Sequence, residues 1–207
     1  MTPDGDAVRA EYDRLASRYD RRWARYVQRS TALLLEGMTP RPGERVVDVG
    51  CGTGQLLEAL AQPGGRLDRV GLDRSPGMLA VARRRLGEGA ALAVADAAAL
   101  PLADASVDWI VSGSMFHYLP DPRRAVTEWC RVLRPGGPLR LVDWCRDYWT
   151  VAALDRLLRQ FNAAHERTWR EGELYRVITE AGLEVTGRAR RRIDPFWGLM
   201  AVTAVRR

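Results

Sequence analysis

An apolar run that breaks into glycines at alternate positions constrains this chain more than any other feature. Val46-Val47-Asp48-Val49 leads into Gly50-Cys51-Gly52-Thr53-Gly54, and Gln55-Leu56-Leu57 then opens a helical pattern. A buried strand turning sharply into a helix is written this way. The glycines permit backbone angles closed to other residues and let a ligand approach the main chain. The first turn of the following helix offers free N–H groups. A bare loop of this kind, at the carboxyl end of a parallel strand, is where open α/β sheets hold nucleotide-like ligands.

The dinucleotide fingerprint is G-x-G-x-x-G, whereas this chain reads G-x-G-x-G. Glycine spacing alone discriminates weakly; the segments that follow sharpen it. Asp73 ends a second strand-like run, Arg69-Val70-Gly71-Leu72-Asp73, about 20 residues past Gly54, where a ribose-binding carboxylate belongs. A third run, Ala91-Leu92-Ala93-Val94-Ala95, ends at Asp96. One acid suits the two ribose hydroxyls, and the other could accept from the exocyclic amine of adenine.

With these residues in place, the chain resembles the class I S-adenosylmethionine-dependent methyltransferases, and most of all their ubiquinone/menaquinone-biosynthesis-like (type 11) group. The likeness is carried by VVDVGCGTGQLL at 46–57, GLDRSPGMLAVAR at 71–83, AVADAAALPLADASVDWIVSG at 93–113 and RVLRPGG at 131–137. It covers roughly Asp6 to Arg146 and is looser beyond. The resemblance implies an α/β fold: a Rossmann-like, seven-stranded, mostly parallel sheet with an antiparallel C-terminal hairpin and helices on both faces. The implied cofactor is S-adenosyl-L-methionine, with S-adenosyl-L-homocysteine as product. Asp48, Gly50, Cys51, Gly52, Thr53 and Gly54 would hold its methionine part, and Asp73 with Arg74 would hold the ribose. Asp96 and the Ala97 backbone would bind adenine, Met78 would pack on its ring, and Ser112 would lie near the sulfonium. Tyr12 and Tyr19 match aromatic positions of the family's covering N-terminal segment.

One domain is expected over 1–207, with a helical lid at 1–40, a cofactor-binding core at 41–146, and substrate-side helices and terminal strands at 147–207. Val8, Tyr12, Leu15, Tyr19, Trp23 and Tyr26 recur at helical spacing. A break near Ser17 is expected, with a second helix beginning at Asp20 and running to about Glu36. The aromatic stripe reads equally as a lid over the cofactor and as plain packing. Beyond Pro42-Gly43, strands near 45–50, 69–73, 90–95, 106–112 and 138–144 alternate with helices near 54–61, 76–86 and 122–133, the pattern of a parallel sheet. Ser75-Pro76 is a helix start, and Arg134-Pro135-Gly136-Gly137 a helix stop. Helices near 150–162 and 171–181 and strands near 183–191 and 198–206 complete the chain.

Composition fits a cytoplasmic enzyme domain. The 207 residues suit one core, no run of 18 apolar residues suggests a membrane span, and the polar start carries no visible leader. Cys51, Cys130 and Cys145 are scattered without metal or disulfide spacing. The net charge of +6 comes entirely from arginine, since the chain has no lysine. Mostly dispersed charge favours a GC-rich coding bias over an RNA- or lipid-binding surface. Of the clusters, Arg83-Arg84-Arg85 reads as a solvated helix face, and Arg188 to Arg192 as a strand near the mouth of the site.

Methyl transfer from a sulfonium is a direct displacement, so orientation is the enzyme's main task. A hydroxyl, carbon acid or ammonium acceptor also needs a base. His117, just after the fourth strand, is the candidate base, against a structural or substrate-orienting role. His165 reads as a surface or capping residue. Trp144, Cys145, Tyr148 and Trp149 follow the fifth strand; Trp144, Tyr148 and Trp149, with His117, are candidate substrate contacts, against ordinary packing. Phe161, Trp169, Phe196 and Trp197 read as core or rim fillers. Ser112-Gly113-Ser114-Met115 stands where amino-methyltransferases acting on adenine bases or protein amides carry N/D-P-P-Y/F, which argues against nucleic-acid bases. The short inserts favour a small-molecule or lipid-like acceptor. An RNA methyltransferase, a nucleotide-dependent oxidoreductase and a non-catalytic cofactor-binding regulator stand as alternatives. The sequence sets neither the acceptor atom nor the oligomeric state.

Overall fold

The computed structural model describes residues 5–61, 66–162 and 165–207. The polar first residues, 1–4, on which the leader reading rests, lie outside the described residues. The strands are β1 (Arg45–Val49), β2 (Asp68–Asp73), β3 (Ala91–Val94), β4 (Trp109–Gly113), β5 (Pro138–Trp144), β6 (Leu183–Arg192) and β7 (Gly198–Arg206). The helices are α1 (Gly5–Leu35), α2 (Gln55–Ala59), α3 (Pro76–Leu86), α4 (Pro122–Val132), α5 (Trp149–Phe161) and α6 (Glu171–Glu180). A short 3-10 turn spans Phe116–Tyr118.

One seven-stranded sheet runs in the order β3-β2-β1-β4-β5-β7-β6. The strands from β3 across to β5 pair in parallel, and β7 pairs antiparallel with both β5 and β6. The expected fold is therefore the observed one. The order reverses at β1, whose neighbours are β2 and β4; the crevice beyond the carboxyl ends there is the usual ligand position of such sheets.

The central strands β1, β4 and β5 are buried on both faces. On one side Trp129 and Val132 of α4 and Leu174 and Ile178 of α6 pack with Ile110, Leu139 and Met200. On the other, Tyr26, Leu33 and Leu34 of α1 pack with Leu56, Val111 and Val142. Local signals hold where they are strong. Ser75 accepts from the Met78 amide at 3.0 Å and precedes Pro76, and Asp121 caps α4 in the same way ahead of Pro122.

The expected break at Ser17 does not occur: α1 is one helix from Gly5 to Leu35. Asp20 does not start a helix. Its carboxylate reaches out of α1 to the Thr53 hydroxyl (2.7 Å), the Gln55 amide (2.8 Å) and Arg85 (2.6 Å), so it ties α1 to the glycine loop. Arg85 thus corrects the reading of its cluster as a solvated face.

Candidate active site

Of the three loop glycines, one opens onto space. A methyl group on Gly50 would meet Met115 Cγ at 2.6 Å, and one on Gly54 would meet Leu86 Cδ1 at 2.9 Å and Ala82 Cβ at 3.2 Å. Gly54 is therefore a packing residue between the loop and α3 and lines no described cavity, a correction to its placement among ligand contacts. Gly52 has φ +52° and nothing within 4 Å of where its Cβ would stand. Its amide donates to Asp73 Oδ2 at 2.8 Å.

Beyond this loop lies a cavity of about 220 Å³ walled by Gly50, Gly52, Asp73, Arg74, Met78, Asp96 and Ala97, with Tyr12 and Tyr19 from α1. Tyr118, Leu119 and Pro120 close its far side. A smaller cavity of about 80 Å³ shares Gly50, Gly52 and Ser114 with it and adds Asp48, Cys51, Thr53 and Tyr26. All but five of the residues proposed from the sequence for cofactor or substrate reach one cavity or the other, besides Gly54; those five are Ser112, His117, Trp144, Tyr148 and Trp149.

The electrostatics of the pocket ask for a cation. Asp48 is buried and accepts no hydrogen bond from the described residues. Burial, and then the negative charge of Asp73, push its carboxyl up to about 8. Asp73 is also raised by burial, offset in part by amide bonds from Ser75 and Gly52. Asp96 instead sits half exposed, paired with Arg74, and accepts from the Ala98 amide at 2.9 Å. Burial likewise pushes Tyr19 up to about 12, so its hydroxyl stays a donor.

Where the residues miss the cavities, the reasons are physical. Ser112 lies inside β4 and spends its hydroxyl on the Val49 carbonyl at 2.9 Å. Ser114, two residues on, lines both cavities at φ +56° with its hydroxyl 2.5 Å from that of Tyr26. His117 is 1% exposed, its Nδ1 2.6 Å from Asp143, its ring stacked on Trp144 at 4.1 Å. Tyr118, not His117, faces the cavity. Trp144 donates to the Tyr26 hydroxyl at 2.7 Å. Tyr148 packs against Gly198, and Trp149 is exposed. His165 is buried rather than at the surface, with Nε2 2.9 Å from Asp155.

Sequence reasoning missed Asp13, which accepts from the Ser75 hydroxyl (2.5 Å) and the Gly77 amide (2.8 Å) and so pins α1 on the start of α3. It also missed Ser114, Met115 and Tyr118 as walls, and named Tyr26 only within the aromatic stripe of α1.

Fold and loop together define a nucleotide-cofactor protein of the open α/β class. Residues 47–141 match the family model described as a methyltransferase domain. A demethylmenaquinone methyltransferase of Paenarthrobacter aurescens is 30% identical over 190 residues, covering 85% of this chain and 71% of that protein. One from Renibacterium salmoninarum is 37% identical over 150 residues, 67% of this chain and 59% of its own length. The chain thus spans well under two thirds of that relative. A solved structure of a methyltransferase from Thermotoga maritima, described as a possible histamine N-methyltransferase, shares the fold at a TM-score of 0.79 and 20% identity, covering 97% of this chain and all of that one. The chain belongs to the S-adenosylmethionine-dependent methyltransferase family.

The residues present fit that cofactor. Gly52 leaves a bare cradle, Asp48 offers an unpartnered buried carboxyl for an ammonium, and Asp73 and Asp96 stand at successive strand ends along one cavity.

Proposed function

We propose that this chain transfers a methyl group from S-adenosylmethionine to a small, lipid-like acceptor by in-line displacement. The observation that carries this reading is the open Gly52 cradle between the buried acids Asp48 and Asp73, at the sheet's switch point. When bound, the cofactor supplies an activated methyl group on a sulfonium centre. Asp48 would hold the ammonium of its methionine part, Asp73 the ribose hydroxyls, and Asp96 with the Ala97 amide the adenine, over Met78. Tyr12 and Tyr19 would exclude water from above. Held orientation of this kind can contribute about 7–11 kcal/mol.

Support for a lipid-like acceptor comes from the apolar far wall of Met115, Leu119 and Pro120 and from the acceptor in the names of the two bacterial relatives. The arginine run of β6 gives an RNA acceptor little to use. Arg188 lies over Tyr175, Arg190 near Asp147 and Glu171, and Arg191 against Glu36.

Gly52→Val tests the cradle. A β-branched residue at φ +52° costs about 1–2 kcal/mol of backbone strain, and its side chain projects into the open cradle. Calorimetry should show adenosylhomocysteine affinity falling at least about a hundredfold. Unchanged affinity would place the cofactor elsewhere. Adenosylhomocysteine release on a panel of short lipid-like acceptors, insensitive to salt, supports the acceptor class; a steep fall of binding with salt on RNA overturns it.

A further inference from the structure

Helix α5 carries two faces that differ in kind. Thr150, Val151 and Asp155 are buried against the protein. On the outer side Trp149, Ala153, Leu157 and Phe161 follow at four-residue steps. They sweep an arc of about 120° along roughly 18 Å of helix. Trp149 is 74% exposed, Leu157 54% and Phe161 75%. Phe196, 45% exposed, continues this surface, because the Thr150 hydroxyl donates to its carbonyl at 2.7 Å. Two of the four large exposed rings and chains here, Phe161 and Phe196, therefore depart from the reading as core or rim fillers.

The face sits on the working edge of the sheet. β7 runs antiparallel to β5 with Leu199 opposite Trp144, so the turn at 193–197 lies at the carboxyl ends of the parallel strands, on the same edge as the glycine loop. Rings lead inward from it. Phe196 meets Trp197 at 5.0 Å, Trp197 meets Tyr26 at 5.2 Å, and Tyr26 lines the smaller cavity.

The exposed charges of α5 are all cations. Arg156 and Arg159 are exposed on α5, and Arg192 lies over the Tyr148 ring at 4.9 Å. The only acid of α5, Asp155, is buried with His165. Asp194 is half-buried in the turn, where it accepts from the Phe196 and Trp197 amides at 2.8 and 2.6 Å, and Asp147, ahead of Trp149, is paired with Arg170 and Arg190.

We propose that this face docks the protein on an anionic bilayer surface, with Trp149, Leu157, Phe161 and Phe196 entering the headgroup region and the arginines meeting lipid phosphates. Exposed aromatic rings interleaved with arginines, and no exposed acid on α5 itself, match that environment. A second copy across a two-fold axis would set like cations against each other. The inward route rests on the lipid-like acceptor reading above; the docking itself does not.

Sedimentation of the full chain with vesicles tests this without cofactor or acceptor. Vesicles of phosphatidylcholine mixed equally with phosphatidylglycerol should retain the protein, pure phosphatidylcholine should not, and added salt should release it. Leu157→Gln with Phe161→Gln should weaken retention about tenfold, as should Arg156→Gln with Arg159→Gln. Both double variants should keep the adenosylhomocysteine affinity of the parent, which shows that they fold. Failure of the mixed vesicles to retain the parent chain overturns the proposal. So does retention equal in parent and variants, or a dimer in ultracentrifugation that Leu157→Gln with Phe161→Gln disperses. Vesicle binding that persists when no lipid-like acceptor is methylated overturns the acceptor reading alone.

Discussion

Asp48→Asn will stabilise the ligand-free protein at neutral pH and at the same time weaken its hold on adenosylhomocysteine. The native carboxyl, raised from 3.8 to about 8 by burial and by the charge of Asp73, keeps its proton at pH 7, whereas the unfolded chain has lost it. Between those two values the native state therefore binds more protons than the unfolded one. Stability falls as pH rises through this window, the reverse of the usual carboxylate behaviour. Asparagine keeps the shape and removes the titration. Near pH 8 the variant should melt roughly 4–8 °C above the parent, a difference of about 2 kcal/mol, and the gap should close near pH 4.

The same exchange removes the partner proposed for the ligand's ammonium, so calorimetry at pH 7 should show affinity lower by about 10- to 100-fold. The two effects have one cause: a buried acid without a protein partner is a cost until a cation arrives. Equal melting curves across the pH range would mean that Asp48 is solvated or paired. Unchanged affinity would mean that the ammonium lies elsewhere.

How far the sequence carried depended on the kind of signal. The strand–glycine–helix start and the two strand-ending acids were legible because a buried strand must be apolar and a bare turn must be glycine, whatever surrounds it. Local statements of that sort placed Gly52, Asp73 and Asp96 around one cavity. Partnership was not legible. Asp20 and Arg85 are 65 residues apart in sequence and 2.6 Å apart in the fold, and nothing in their own neighbourhoods announces it. Asp20 therefore looked like a helix start, and Arg85 like a solvated charge. Gly50 and Gly54 shared one motif with Gly52, yet their reasons are Met115 and Leu86, long-range neighbours that spacing does not encode. Ser112 lies inside β4 and Ser114 just past its end at Gly113, and a one-residue uncertainty in that end chose the wrong hydroxyl. The exposed stripe of α5 was not legible either, because helical periodicity does not say which face of a helix meets the core.

His117 offers the sharpest separation of a chemical role from a structural one. Asp143 is buried and accepts three bonds: from His117 Nδ1 at 2.6 Å, from the Trp144 amide at 2.5 Å and from the His117 amide at 3.2 Å. It joins the turn after β4 to the end of β5, while Tyr118 stands toward the cavity. Asp143→Ala strips these donors of their acceptor in a site closed to water. Denaturant unfolding should show a loss of about 3 kcal/mol, since each buried donor left without its acceptor costs about 1–3 kcal/mol. His117→Ala should also be destabilising, through the lost stack on Trp144 and the carboxylate left without its ring donor. Asp143→Asn, which retains one acceptor oxygen, should recover part of the loss. A base at the reacting centre would behave otherwise, with stability near that of the parent and turnover reduced far more than cofactor affinity. Burial of both partners and the short bond between them favour the structural outcome.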